Sequence, residues 1–122
     1  MNIRKYWRAI IERNAEEISN YFKDTAIIRW HNTNEQFTLE EFIKVNCEYP
    51  SNWDCEVERI EEIADLIITV TRVFATNSSV SVHATSFLRI EGEKIASLDE
   101  YWSDDGEAPK WRLDLKIGRR II

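Results

Sequence analysis

The chain has 122 residues, 43% of them hydrophobic, with five tryptophans, four tyrosines and five phenylalanines; that suffices for one domain with a real core, expected over residues 1–122, and not for two. Its net charge is −6, from 16 basic and 22 acidic residues. The only basic cluster, Arg119-Arg120, is short and flanked by isoleucines, so the basic stripe that a nucleic-acid partner needs is missing.

From Ile3 to Phe22 the apolar residues Ile3, Tyr6, Trp7, Ile10, Ile11, Ile18 and Phe22 recur at helical spacing. The stripe falters at Asn14-Ala15-Glu16-Glu17, which has the form of a capping box. The pattern predicts helices over about 2–13 and 15–22, a strand over Thr25–His31 and a polar loop from His31 to Gln36. Thr38-Leu39-Glu40-Glu41 is a second capping box, opening a third helix to about Cys47. Leu39, Phe42, Ile43 and Asn46 share its buried face, and Pro50 lies beyond its end. Four long strands follow at Trp53–Ile63, Leu66–Ala75, Ser79–Ile90 and Lys94–Trp102, rich in β-branched and aromatic residues. Helices first and a sheet after them make an α+β order. Strands this long must be bent by bulges, giving a curved sheet with a concave side.

The N-terminus lacks the apolar run of a signal peptide, and no segment approaches the ~20 apolar residues that cross a bilayer. The expected setting is therefore cytoplasmic and away from membranes. Cys47 and Cys55 are expected as reduced thiols, and with no histidine nearby they make no zinc site. No cofactor and no metal is expected. Asp104-Asp105-Gly106-Glu107 lacks the alternating ligands of a calcium loop and reads as a solvated turn. Beyond it, Trp111 is expected to fold back over the body, with Arg112 paired to the acids just before it.

The chemistry concentrates in the last strand, Ile95-Ala96-Ser97-Leu98-Asp99-Glu100-Tyr101-Trp102. Alternation puts Ala96, Leu98, Glu100 and Trp102 on one face and Ile95, Ser97, Asp99 and Tyr101 on the other. Each face ends in a carboxylate beside an aromatic ring, so whichever face looks inward lines a pocket with chemistry in it.

With Tyr21-Phe22-Lys23-Asp24 before the first strand and Glu100-Tyr101-Trp102-Ser103 closing the last, the chain resembles the nuclear transport factor two-like superfamily, in particular its SnoaL-like and ketosteroid isomerase-like branches. The resemblance covers nearly the whole length. It implies a cone, with helices closing the mouth of a strongly curved mixed or antiparallel sheet around an apolar pocket, and it implies a homodimer. Tyr6 falls where the isomerases keep an oxyanion-binding tyrosine, Trp30 where they keep the catalytic aspartate, Ser86 where they keep a protonated acid, and Trp102 on a pocket tryptophan. The base and one oxyanion partner are thus replaced, which argues against steroid isomerisation by that arrangement. The same register turns Trp102, Glu100, Leu98 and Ala96 inward, joined by Ile28 and Trp30. The expected pocket comprises Trp30, Ile28, Phe42, Asn46, Arg72, Ser86, Leu88 and Trp102, with Glu100 and Tyr6 as candidate catalytic groups. Trp53 is a further candidate for its aromatic wall, and Trp7 for the core.

Glu100 has two readings. As an acid or base it needs the raised pKa that burial gives a carboxylate; as a structural group it pairs with an arginine such as Arg72. His83 is expected on the outer face with Thr85 and Phe87, and His31 at the cavity rim. Function likewise has two readings. One is a small-molecule pocket working by proton transfer, of isomerase, lyase or hydrolase type; the other is a non-catalytic binding or protein-interaction module.

Overall fold

The helical stripe of residues 3–22 resolves, in a computed structural model describing residues 1–122, into α1 (Ile3–Glu12) and α2 (Ala15–Asn20). Arg13 breaks it by turning left-handed at φ 57°. Asn14 then caps α2, its Oδ1 accepting from the Glu17 amide at 3.1 Å. The Glu17 carboxylate does not reach back to the backbone; it accepts from the Asn14 side-chain amide at 3.3 Å.

Phe22, expected at the end of a helix, opens β1 (Phe22–Trp30). Its spacing from Ile18 suits a helix, but its backbone pairs with Ile95 ahead of a register shift that resumes at Ile27. The expected loop from His31 contains a 3-10 turn (His31–Thr33), a left-handed Asn34 and a short strand, β2 (Glu35–Thr38). With Phe37 as its only large apolar residue, β2 has almost no hydrophobic signal to read. α3 (Leu39–Glu48) starts at a true capping box: Thr38 Oγ1 accepts from the Glu41 amide at 3.2 Å. The Glu41 carboxylate in turn accepts from the Thr38 amide at 2.9 Å.

The strands β3 (Trp53–Ile63) and β4 (Leu66–Ala75) have the expected bounds, whereas β5 (Ser81–Glu91) starts later and β6 (Lys94–Asp104) runs further. The six strands form one sheet in the order β2-β1-β6-β5-β4-β3. Only β1 and β6 pair in parallel; every other neighbour is antiparallel. In β4 burial alternates without a break, Ile67, Thr69, Thr71, Val73 and Ala75 turning inward. The core lies between this inner face and the helices, where α1 packs on β3 and α3 on β1. Ile28, Leu98 and Leu88 are fully buried there, each worth roughly 1.5–3 kcal/mol of burial.

Register shifts in three strand pairs bend the sheet. One of them corrects the expected facing of β6. Ile90 pairs with Ile95 and Arg89 with Ser97, so the extra residue Ala96 lets Ile95 turn inward, where it is fully buried. The segment after β6 also departs from expectation. Trp111 does not fold back over the body: it is 64% exposed on α4 (Lys110–Asp114), which buries no residue. Arg112 makes no ion pair with the preceding acids and sits 6.0 Å from the Trp111 ring centroid.

Candidate functional site

Cross-strand registry places one polar row inside an apolar face. Trp30 on β1 pairs with Glu100 on β6, Glu100 with Ser86 on β5, and Ser86 with Thr69 on β4. On one side lies the row Ile28, Leu98, Leu88, Ile67; on the other lies Trp102, Ala84, Thr71, Val57. The inward facing of Trp102, Glu100 and Leu98 therefore follows from β alternation beyond the bulge at Ala96.

Glu100 is 2% exposed. Each carboxylate oxygen accepts one hydrogen bond, from Trp30 Nε1 at 3.0 Å and from Ser86 Oγ at 2.6 Å. No cation approaches it. Arg72, expected in the pocket and as its partner, is on the other face of the sheet, where it lies 4.2 Å over the Phe74 ring and bonds Glu56 at 3.4 Å. Inward positions of β4 are odd-numbered, so Arg72 is turned outward by the pleat. Burial, uncompensated by an ion pair, pushes the Glu100 pKa up to about 6, and the bonds from Ser86 and Trp30 hold back a further rise. Tyr6 is also buried, and burial together with the nearby Glu100 charge pushes its phenol well above the ordinary tyrosine value.

Beside this row opens a cleft of about 820 Å³. Trp7 and Ile10 of α1, Trp30, Trp53, Val82 and Trp102 are among its walls, with the exposed Glu35 and Asp104 also on it. Of the expected pocket residues, Trp30, Asn46 and Trp102 are on the cleft. Ile28, Phe42, Ser86 and Leu88 are instead packed in the interior, and Arg72 is outside. Glu100 and Tyr6 are not on its walls either; Glu100 bonds the indole of Trp30, which is. Trp7, expected as core, is both 2% exposed and part of the wall. Arg13, Val73 and Val82 also belong to it and were not anticipated. The alternation that places Thr69 and Thr71 inward extends to Val73, which gave one available signal; nothing local marks Arg13.

Four buried polar atoms have no hydrogen-bond partner in the protein: the indole nitrogens of Trp7 and Trp102 and the hydroxyls of Thr69 and Thr71. Both tryptophans line the cleft. Such groups are costly to leave unsatisfied, by about 1–3 kcal/mol each.

The histidines stand elsewhere. His83 is on the outer face, as its alternation implied, with Nδ1 bonded to Asp105 and Nε2 to Glu58 at 2.9 Å. The Asp105 bond leads the effects that raise its pKa. His31 does not line the cleft, although Trp30, Asn32 and Thr33 beside it do: it bonds Asp99 at 2.7 Å and stacks on Tyr101 with centroids 4.4 Å apart.

No protein-family model matches the sequence, and no curated protein does. Solved structures do. A candidate ketosteroid isomerase from Kribbella flavida superposes with a TM-score of 0.82 at 20% identity, over 98% of this chain and 87% of that one. This chain has the nuclear transport factor two-like fold. An NTF-2 like protein of unknown function from Burkholderia xenovorans gives a TM-score of 0.78 at 20% identity, covering 97% and 91% of the two chains. A candidate SnoaL-like polyketide cyclase from Shewanella putrefaciens gives 0.69 at 12% identity, covering 82% and 85%. The nuclear transport factor two-like fold accounts for the α+β cone. Identities this low make the likeness one of fold, and an activity must come from the site itself. No helix is long and apolar enough to cross a membrane.

Proposed function

We propose that this protein binds a small, flat, partly apolar molecule. The observation that carries the reading is a cleft of about 820 Å³ walled by four tryptophans, Trp7, Trp30, Trp53 and Trp102. The apolar walls supply most of the affinity, and the polar residues on the same lining, Arg13, Asn32, Asn46 and Asp104 among them, are the groups that orient the ligand. A homodimer through the outer face of the sheet belongs to the same proposal. That face presents Ile68, Val70, Thr85 and Phe87 only partly covered, and Tyr101 47% exposed.

Proton-transfer catalysis is the second reading, and the raised pKa of Glu100 favours it. A carboxylate that titrates near neutrality suits isomerase, lyase or hydrolase chemistry. Its position behind Trp30 ranks this reading second, because a general acid or base must come within hydrogen-bond reach of the substrate.

The test is a thermal-shift and tryptophan-fluorescence screen against flat ketones, aromatic acids and cyclic ethers, using wild type, Trp102→Phe and Glu100→Gln. Binding that Trp102→Phe weakens severalfold, and that Glu100→Gln leaves intact, fits the binding reading, since the smaller ring removes part of the aromatic wall. Turnover of a bound compound that disappears in Glu100→Gln would promote the catalytic reading. No ligand in any class, together with an unaltered indole environment, would remove both.

A further inference from the structure

The segment after β6 carries the largest exposed apolar surface in the chain. Trp111, Leu113, Leu115 and Ile117 are 64%, 53%, 55% and 69% exposed, and Ile121 and Ile122 are fully so. Together these side chains offer area on the order of the ~800 Å² that each partner gives up in a stable protein interface. α4 has no side-chain cap, and its backbone bonds are all local. A five-residue helix in water is far below the ~12–15 residues at which isolated helices become even marginal. The segment therefore has the composition of an interface without a partner on its own body.

Charge and position say what the partner is. Lys110, Arg112, Lys116, Arg119 and Arg120 against the single Asp114 give Lys110–Ile122 a side-chain charge of +4, in a chain whose total is −6. The remainder, residues 1–109, thus stands at −10, and a second copy attracts the segment while an anionic lipid surface repels the body. The root of the segment is fixed on the outer face of the sheet. The Asp105 amide bonds the Ser81 carbonyl at 3.0 Å, and its carboxylate accepts from Ser81 Oγ at 2.6 Å and bonds His83. On that same face run two adjacent rows, Ile68, Phe87, Asp99 and Val70, Thr85, Tyr101.

We propose that Lys110–Ile122 is a clasp: in a dimer seated through the outer sheet face, the segment of each copy packs its Trp111, Leu113, Leu115 and Ile117 side chains on the acidic body of the other. The clasp rests on the dimer proposed above and is independent of the ligand.

Analytical ultracentrifugation of the full chain over a wide concentration range tests it, on wild type, Trp111→Ala, Leu113→Asp/Leu115→Asp and Tyr101→Asp. None of the four segment side chains is buried, so the first two variants keep the fold, checked by far-UV circular dichroism. The expected result is a wild-type dimer whose dissociation constant rises at least about tenfold in Trp111→Ala and further in the double variant, as loss of a central aromatic anchor does. Amide exchange across 110–117 should slow as protein concentration rises. Outer-face Tyr101→Asp should also dissociate the dimer. A dimer that responds to Tyr101→Asp and not to the segment variants would overturn the clasp and leave the dimer standing. A monomer at every concentration would overturn both. Concentration-independent exchange protection would place the segment on its own body, and segment-dependent binding to phosphatidylserine vesicles by a monomer would place it on a membrane; either refutes the clasp.

Discussion

Replacing Glu100 by glutamine should make the protein more stable at neutral pH and leave it little changed in acid. The wild-type carboxyl has an ordinary pKa of 4.5 when the chain is unfolded and about 6 when folded. Between those values the folded state holds a proton that the unfolded state has lost, so stability falls as pH rises through the window and is fully present only below 4.5. The difference of about 1.5 units corresponds to about 2 kcal/mol lost on reaching pH 7.5. Glutamine has no such dependence. Its carbonyl can accept from Trp30 Nε1, and its amide can donate to Ser86 Oγ once that hydroxyl reverses, so the two contacts survive in changed polarity. Urea unfolding of both proteins from pH 4 to pH 7.5 measures the effect. The stability difference should move by about 2 kcal/mol in favour of glutamine across the range. Parallel curves would refute the reasoning, because they would mean that Glu100 ionises in the fold as easily as in water.

Ser86→Ala removes one donor to the carboxylate and should raise the Glu100 pKa above its wild-type value, read as a shift of the same stability window to higher pH. Thr38→Ala opens the capping box of α3 and should cost about 1 kcal/mol in urea unfolding, with Thr38→Ser restoring most of it. Leu98→Ala leaves a cavity beneath the polar row, at a residue that is fully buried, and should cost about 2–5 kcal/mol. The His83 imidazole should titrate above the ordinary histidine range by NMR, and Asp105→Asn should lower it, since the Asp105 bond is the leading cause of the rise. Its contribution to stability is present below pH 6.5 and disappears as pH rises through the folded value, and it is small because the side chain is partly solvated.

Much of this architecture is legible in the residues because hydrophobic period and turn chemistry agree. The third helix is announced by Thr38 and Glu41, and the facing of Glu100 and Trp102 follows from alternation. What escapes is what alternation does not carry. β2 pairs through its backbone at the sheet edge and needs no apolar stripe. Ala96 is an ordinary small residue whose insertion turns Ile95 inward, and no local preference marks it. Arg72 was misplaced because charge complementarity with Glu100 is visible in a sequence and the parity of a strand position relative to a distant strand is not. The cleft was the least legible part, since Trp7, Arg13 and Val73 meet only through the packing of α1 over the far end of the sheet.

The parallel contact between β1 and β6 has a consequence for how the chain reaches its native state. β1 sits between β2 and β6, so it can join β2 early as a local antiparallel pair but must wait for residues 94–104 before its other edge is filled. β3 to β6, by contrast, form a meander of sequential neighbours. During synthesis the first strand therefore keeps an open edge until residues 94–104 have emerged, and loop-closure entropy must be met before Ile28 finds Leu98. Docking of the α1–β2 unit on the finished meander is the step expected to limit the refolding rate. The Trp30–Glu100 bond spans that seam, so it can form only once β1 and β6 have paired.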